Sequence, residues 1–265
     1  MNPNFAAGYA PTIGQLMFGA AGAMAVALLS WRLRLLTPGG TCVQFLMGCV
    51  LFGIGGWPAA LPIIVFFATA SAATKFADTR RKVLTMEGRT SARDAVQVLA
   101  NGGIASCLVL LSLVVRDPRI YYAYVGAVAA AAADTLATEI GTVYGRRPRS
   151  ITTFRPAAGG SSGAVTLAGF AGAFGGAAMV SLASIPWGTG AAPMIVAGVG
   201  GCVLDSILGA SVQARFECRV CGQDTESVVH CEETTKHRSG LRVLTNDGVN
   251  FVCTAVGAAC ASLIA

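Results

Sequence analysis

Residues 130–176 read AAAADTLATEIGTVYGRRPRSITTFRPAAGGSSGAVTLAGFAGAFGG. An alanine-rich helix with two carboxylates, Asp134 and Glu139, runs into a basic, glycine-rich loop, and a second apolar run follows. A bilayer interior rejects both charge and irregular backbone. Acids, arginines and glycines gathered at one end of two membrane-length segments therefore mark a surface in use. Asp134 and Glu139 can hold a divalent cation, while Arg146, Arg147, Arg149, Arg155 and the backbone of residues 159–163 can hold phosphates. The combination points to phosphoryl chemistry on a membrane substrate.

The rest of the chain supplies the setting. Apolar residues make up 54% of its 265 residues and charged residues 12%, against roughly 25% charged in a soluble globular domain. Runs of about 20 apolar residues, enough to cross the hydrocarbon core as a helix, recur along its length. The expected fold is all-α: a polytopic membrane bundle of about eight helices, or seven, in one integral domain over residues 1–265. Expected spans are 12–31, 41–54, 57–75, 95–115, 119–141, 162–184, 190–214 and 247–265. The second is short, and Gly55, Gly56 and Pro58 crowd its end.

Charge placement orients the bundle. With the N-terminus outside, all 19 Lys and Arg except Arg116 and Arg119 fall on one side. They sit at Arg32 and Arg34, at Lys75, and in polar loops 76–94, 142–161 and 215–246. The positive-inside rule makes that side cytoplasmic, so the expected location is the inner (cytoplasmic) membrane of a prokaryote, with the site facing the cytoplasm. The net charge of +6 is this topological bias, helped by anionic headgroups, and calls for no nucleic acid. No basic segment precedes the first apolar run, so no cleavable signal is expected.

Helical spacing groups the polar residues inside the spans. At about 100° per residue, Asp134, Thr135, Thr138, Glu139 and Thr142 share an arc of about 140°. Ser71, Thr74, Lys75, Asp78 and Lys82 share a second arc, Asp205, Ser206, Gly209 and Gln213 a third, and Asn246, Asp247, Asn250 and Thr254 a fourth. Asn101 lies at the same end of the fourth span. A lone Asn or Ser in such a place is ordinarily an interhelical hydrogen bond. Buried carboxylates are costly without a partner or metal, so Asp134, Glu139 and Asp205 read as functional.

In the loop, Thr152 and Thr153 offer hydroxyls and Arg155 a forked cation. Gly159, Gly160, Ser161, Ser162 and Gly163 then open a new helix, whose N-terminal amides favour an anion. A flexible turn with a Ser N-cap is the plain alternative. The cysteines divide differently. Six lie in spans and read as small packing residues. Cys218, Cys221 and Cys231 share loop 215–246 with His230 and His237. C-x-x-C with a downstream Cys and His can form a Cys₃His zinc site at Cys218, Cys221, His230 and Cys231. The missing second C-x-x-C and the adjacency of His230 and Cys231 favour plain structural or reactive thiols.

ADTLATEIG, ITTFRPAAGGSSGAVTLAG, DSILGA and NDGVN, together with TKFADTRRK and GRTSARDAVQVLANGG, resemble an integral-membrane family once catalogued as domain of unknown function 92. That family includes a chloroplast phytyl-phosphate kinase. The resemblance covers roughly residues 70–265. More distantly, D-x-x-A-x-x-x-G at Asp134, Ala137 and Gly141 is similar to dolichol and phytol kinases and CDP-diacylglycerol synthases, with Asp205 resembling their second acidic site. Where those families carry a Lys-Ser or Lys-Thr pair in the loop, this chain has Phe154-Arg155-Pro156, and Arg155 cannot act as a base.

The resemblance implies phosphoryl transfer from an NTP, usually CTP in its wider relatives, to a prenyl monophosphate such as phytyl phosphate. In that reading Mg²⁺ is held by Asp134 and Asp205 with Glu139, Asp247 or Asn250, and Asp134, Glu139, Asp205 and Arg155 form the catalytic set. Thr152, Thr153, Arg155, Gly159, Gly160, Ser161, Ser162 and Gly163 cradle the nucleotide, and Lys75, Asp78, Arg80 and Asn101 take the acceptor phosphate. Implied partners are the prenyl monophosphate, the nucleotide and membrane lipid, with a homodimer allowed. The alternatives are a cytidylyltransferase making a CDP-lipid and a transporter of an anionic solute. A transporter predicts broken mid-membrane helices and paired repeats, whereas these polar groups crowd one face and no repeat is evident.

Overall fold

The computed structural model describes residues 10–85 and 92–264. Among these residues, eight α-helices follow the expected spans: α1 Ile13–Arg32, α2 Pro38–Gly48, α3 Gly56–Thr85, α4 Ala95–Leu111, α5 Arg119–Tyr144, α6 Leu167–Ser184, α7 Ala191–Ser211 and α8 Asn246–Ile264. Among the described residues, six are long and apolar enough to cross a bilayer, and Pro38–Ile54 and Ala95–Leu111 are shorter apolar helices. The doubtful second span is thus a continuous helix, α2 running on into a π-helical segment, Cys49–Ile54. Arg89, and the side chains of Arg81 and Lys82 in the expected basic loop, lie outside the described residues.

Local chemistry sets the helix starts. Thr12, Thr37 and Thr166 each accept a backbone N–H in the first turn, and Asp94 forms a reciprocal capping box with Gln97. Two boundaries differ from expectation. α3 continues past residue 75 to Thr85, so the front of the expected loop 76–94 is helical. α6 begins at Leu167, not at residue 162, because Thr166 is its cap and residues Ala164–Val165 are extended.

α5 is the hub. In its most apolar stretch 78% of residues are buried, while none of the other five long helices exceeds 44%. It packs against α3, α4, α6, α7 and α8. The alanine run makes this possible, because lipid supplies no hydrophobic push and helices associate through close backbone packing. A Cβ on Gly257 of α8 would lie 2.6 Å from both the Ala130 Cβ and the Gly126 carbonyl oxygen of α5. One on Gly176 of α6 would run into the carbonyl of Ala132.

The α3–α5 seam repairs a defect. Pro62 lies inside α3 and has no N–H, which leaves the Pro58 carbonyl without its usual helical donor. The Tyr121 hydroxyl donates to that carbonyl at 3.2 Å, and Tyr124 donates to Ala59 at 2.5 Å. In lipid an unmet carbonyl costs far more than in water.

The basic loops meet at one end of the bundle. Backbone bonds of 3.0 Å join Thr37 to Arg93 and Arg93 to Leu35, tying the α1–α2 and α3–α4 connections together. Between α5 and α6, β1 (Arg149–Ser150) pairs antiparallel with β2 (Ala164–Val165). Between α7 and α8 sits a small β-lobe. β3 (Arg215–Glu217) lies between β4 (Asp224–Thr225) and β7 (Lys236–Ser239), and β5 (Val229–His230) pairs with β6 (Glu233–Thr234).

Candidate functional site

Asp134 and Asp205 meet because glycines let α7 ride on α5. Cβ atoms at Gly198 and Gly201 would lie 2.9 Å from the Cβ atoms of Ala129 and Ala130. One turn further along these two helices, the carboxyl groups of Asp134 and Asp205 are in side-chain hydrogen-bond contact. The second Asp205 oxygen, Oδ1, is buried without a hydrogen-bond partner. Cys202 and Cys253 border the pair, and the Cys253 thiol reaches the Ala130 carbonyl at 3.8 Å. Two carboxyl groups in contact within an apolar wall need a proton or a cation between them. An orphaned buried carboxylate oxygen beside a second acid fits a divalent cation.

Glu139 and Asp247, also expected as metal ligands, have partners on other helices. Glu139 Oε1 accepts from the Thr74 hydroxyl at 2.8 Å, and Arg93 Nη2 donates to the same hydroxyl at 3.2 Å. Burial pulls the Arg93 guanidinium below its usual range, and the nearby Glu139 charge offsets part of this. Asp247 lies within electrostatic reach of Asp94, the N-cap of α4. Asn250, one turn on from Asp247, is half-buried.

Arg93 and Lys75 also stand at the polar end of a half-open cavity of about 430 Å³ between α1–α4. Its body is apolar, walled by Leu29, Leu51, Phe52, Ile63, Phe66 and Phe67, while Lys75, Arg93, Gln97 and Asn101 add polar groups to its lining. An apolar chamber of this size with a few convergent polar groups suits an amphiphile with an anionic head. Lys75 and Asn101 were read from sequence as substrate-phosphate residues, and both line this space. Arg80 instead lies over the Phe76 ring at 5.4 Å, and Asp78 is half-buried beside it on α3. Arg93 and Gln97 carried no assignment from sequence, because the chain bond that brings Arg93 under α1 is not visible in any helical arc.

The glycine loop is built differently from the sequence reading. Gly163 leads into β2 and not directly into a helix, so residues 159–163 do not present helix N-terminal amides. Gly160 and Gly163 have φ of +81° and +76°, and Gly163 is pressed onto Ala210 of α7. The Ser162 amide donates to Glu226 Oε1 at 3.1 Å. Gln213 Nε2 reaches Ser162 Oγ at 2.9 Å and Glu226 Oε2 at 3.0 Å. Glu226 also lies within electrostatic reach of Asp205, so the loop abuts the acidic pair. The Ser161 hydroxyl donates to Ala158 at 2.8 Å. Thr152, Thr153, Arg155, Gly159 and Gly160 are exposed on the loop surface. Sequence gave Glu226 no role, since a single Glu in a polar loop carries no periodicity.

In the β-lobe, the ligand atoms of Cys218, Cys221, His230 and Cys231 all lie within 4.8 Å of one another. Left-handed backbone at Cys231 and Glu232, with φ of 53° and 63°, accompanies the tight turn that lets adjacent His230 and Cys231 face one centre. The sequence had read that adjacency as an obstacle. An N–H bond from Cys221, aided by His230 and Val220, pulls the Cys218 thiol down to about 6. His237 is elsewhere, edge-on to the Phe216 ring at 5.7 Å.

Fold and site together define a polytopic helical membrane protein with an intramembrane acid pair next to a glycine loop. The chain belongs to the integral membrane protein family DUF92, whose model matches residues 21–258. It is 31% identical to Protein PGR of Arabidopsis thaliana over 90% of this chain and 92% of that protein. It is 26% identical to an uncharacterized membrane protein of Synechocystis over 69% of this chain and 74% of the relative. A Methanocaldococcus jannaschii membrane protein, also uncharacterized, is 26% identical over 88% and 87%. No solved structure matches the chain.

Proposed function

We propose that the protein is a membrane-embedded phosphotransferase that moves the terminal phosphoryl group of an NTP, CTP by the wider resemblance, onto a prenyl monophosphate. The carrying observation is the pairing of two features through one helix. The apolar cavity, lined also by Lys75 and Arg93, connects through Thr74 to Glu139 on α5. Glu139 is about 7.5 Å of helical rise from Asp134, which touches Asp205.

The prenyl chain lies in the cavity, and Lys75, Arg93 and Asn101 hold its monophosphate. Glu139 and Thr74 fix Arg93, so the guanidinium is already oriented when the acceptor arrives. Asp134 and Asp205 are the residues that would hold Mg²⁺, which would neutralise the nucleotide phosphates. Arg155, Thr152 and Thr153 are placed to meet the nucleotide from the loop surface, and a phosphate approaching the Ser162 amide has to displace Glu226. An oxygen of the acceptor phosphate attacks the γ-phosphorus, and the bond from that phosphorus to the β–γ bridging oxygen breaks. The products are prenyl diphosphate and a nucleoside diphosphate. The acceptor is already ionised, so no residue has to remove a proton, and positioning with charge neutralisation carries the rate.

Detergent-purified protein incubated with a panel of prenyl monophosphates and NTPs, with products identified by mass spectrometry, tests the reading. Prenyl diphosphate supports it. CDP-prenol with released pyrophosphate replaces it with cytidylyl transfer, and no turnover on any pair sinks both.

A further inference from the structure

The β-lobe between α7 and α8 holds four ligand-type side chains that the phosphoryl-transfer reading does not use. Cys218 opens a Cys-x-x-Cys-Gly turn. The N–H groups of Val220 and Cys221 point back at the Cys218 sulfur, at 3.4 and 3.5 Å. Gly222 closes that turn with φ of +71°, a conformation glycine adopts without strain. The Cys218 amide bonds back to Gln223 at 2.9 Å, completing a tight knuckle. Across from it, His230 Nδ1 lies 3.6 Å from the Cys221 sulfur and 3.3 Å from the Cys231 sulfur.

Those spacings decide what the cluster suits. With Zn–S of about 2.3 Å and Zn–N of about 2.0 Å, a tetrahedral site has N···S edges of about 3.5 Å and S···S edges of about 3.8 Å. The two N···S separations fall on that edge length, and the whole set fits within 4.8 Å. All four thiols and imidazoles needed for a Cys₃His set are present, and the cysteines are free. The strands around them have only two to four residues each. A lobe of this size has almost no apolar core, and such lobes are commonly held by a structural metal.

We propose that Cys218, Cys221, His230 and Cys231 bind one structural Zn²⁺ that rigidifies the β-lobe and thereby holds Glu226 against the glycine loop. Glu226 sits in the short link between β4, which follows the Cys218–Cys221 turn, and β5, which carries His230 and leads into Cys231. Fixing the two ends of that link relative to each other fixes the carboxylate on the Ser162 amide and on Gln213. Zinc binding displaces the thiol protons to solvent, leaving a site with four protein ligands and no open position, which is structural and not catalytic. The proposal stands whether or not the neighbouring site transfers phosphoryl groups.

The test uses the full chain purified in detergent under reducing conditions without chelator. Elemental analysis should give close to one zinc per chain, falling at least fivefold in Cys221→Ser and in Cys231→Ser but not in Cys42→Ser. Replacing the metal with Co²⁺ should give the intense visible bands of a tetrahedral thiolate site. Chelation should speed hydrogen exchange at the Ser162 amide severalfold while exchange within α5 is unchanged. Less than one-tenth zinc per chain, both as purified and after incubation with ZnCl₂, overturns the proposal. Full zinc retained in a Cys221→Ser, Cys231→Ser double variant, or a disulfide among the three lobe cysteines in place of metal, overturns it as well.

Discussion

Replacing Asp134 with Asn separates the chemistry of the acid pair from its packing. The amide has nearly the shape of the carboxyl group and can still hydrogen-bond to Asp205, so the fold should change by less than about 1 kcal/mol. Removing one of two carboxyl groups in contact also relieves a like-charge pair, which works in the same direction. Cation binding responds in the opposite way. One unit charge acting on another at about 4 Å is worth about 4 kcal/mol at an effective dielectric of 20, and a divalent ion doubles the leverage. A loss of about 4 kcal/mol or more in the transition state corresponds to a rate loss of about 10³-fold. Turnover of a prenyl monophosphate and thermal unfolding should be measured side by side on the same detergent preparation. The expected result is activity reduced by about three orders of magnitude with an almost unchanged melting temperature. An Asn variant that keeps more than a tenth of the activity refutes the metal assignment, and one that fails to fold refutes the packing argument.

Arg93→Ala removes the cation held by Thr74 and Glu139 in the cavity lining, and KM for the prenyl monophosphate should rise about 10- to 100-fold, the value of a charge-assisted phosphate contact; initial-rate kinetics check this. A Cβ on Gly102 collides with Met47 at the edge of the cavity, so Gly102→Leu should fill the chamber and raise KM for a C20 acceptor far more than for a C5 one. Tyr124→Phe deletes the hydroxyl that serves the Ala59 carbonyl beside the Pro62 break and should lower stability by about 1 kcal/mol in a detergent unfolding titration.

The bundle was legible in the sequence because membrane length and basic-loop placement constrain nearly every segment. The same reasoning located Asp134 and Asp205, since a carboxylate inside a span is costly enough to stand out. Partner choice was less legible. Asp134 and Glu139 share one helical arc and Asp247 lies on another, yet arcs give an angle and not a neighbour. α5 is surrounded by five helices, so a wide polar face is divided among several of them. Asp134 meets α7, where Gly198 and Gly201 allow contact, while Glu139 turns to Thr74 of α3. The glycine loop shows the limit of local patterns. A glycine run before an apolar segment reads as a helix start, but Thr166 is the better cap and two extended residues intervene. The β-lobe left almost no trace, because strands of two to four residues in a polar loop have no alternation to detect. Glu226 and Arg93 gain their positions through such loops.

The measurement that bears most directly on the central claim follows the γ-phosphoryl group. Purified protein, Mg²⁺, a prenyl monophosphate and γ-labelled NTP should yield label in the organic-phase prenyl diphosphate, in equal amount to the nucleoside diphosphate formed. Label recovered as pyrophosphate, or remaining in the NTP while the wild-type protein is demonstrably folded, contradicts the account.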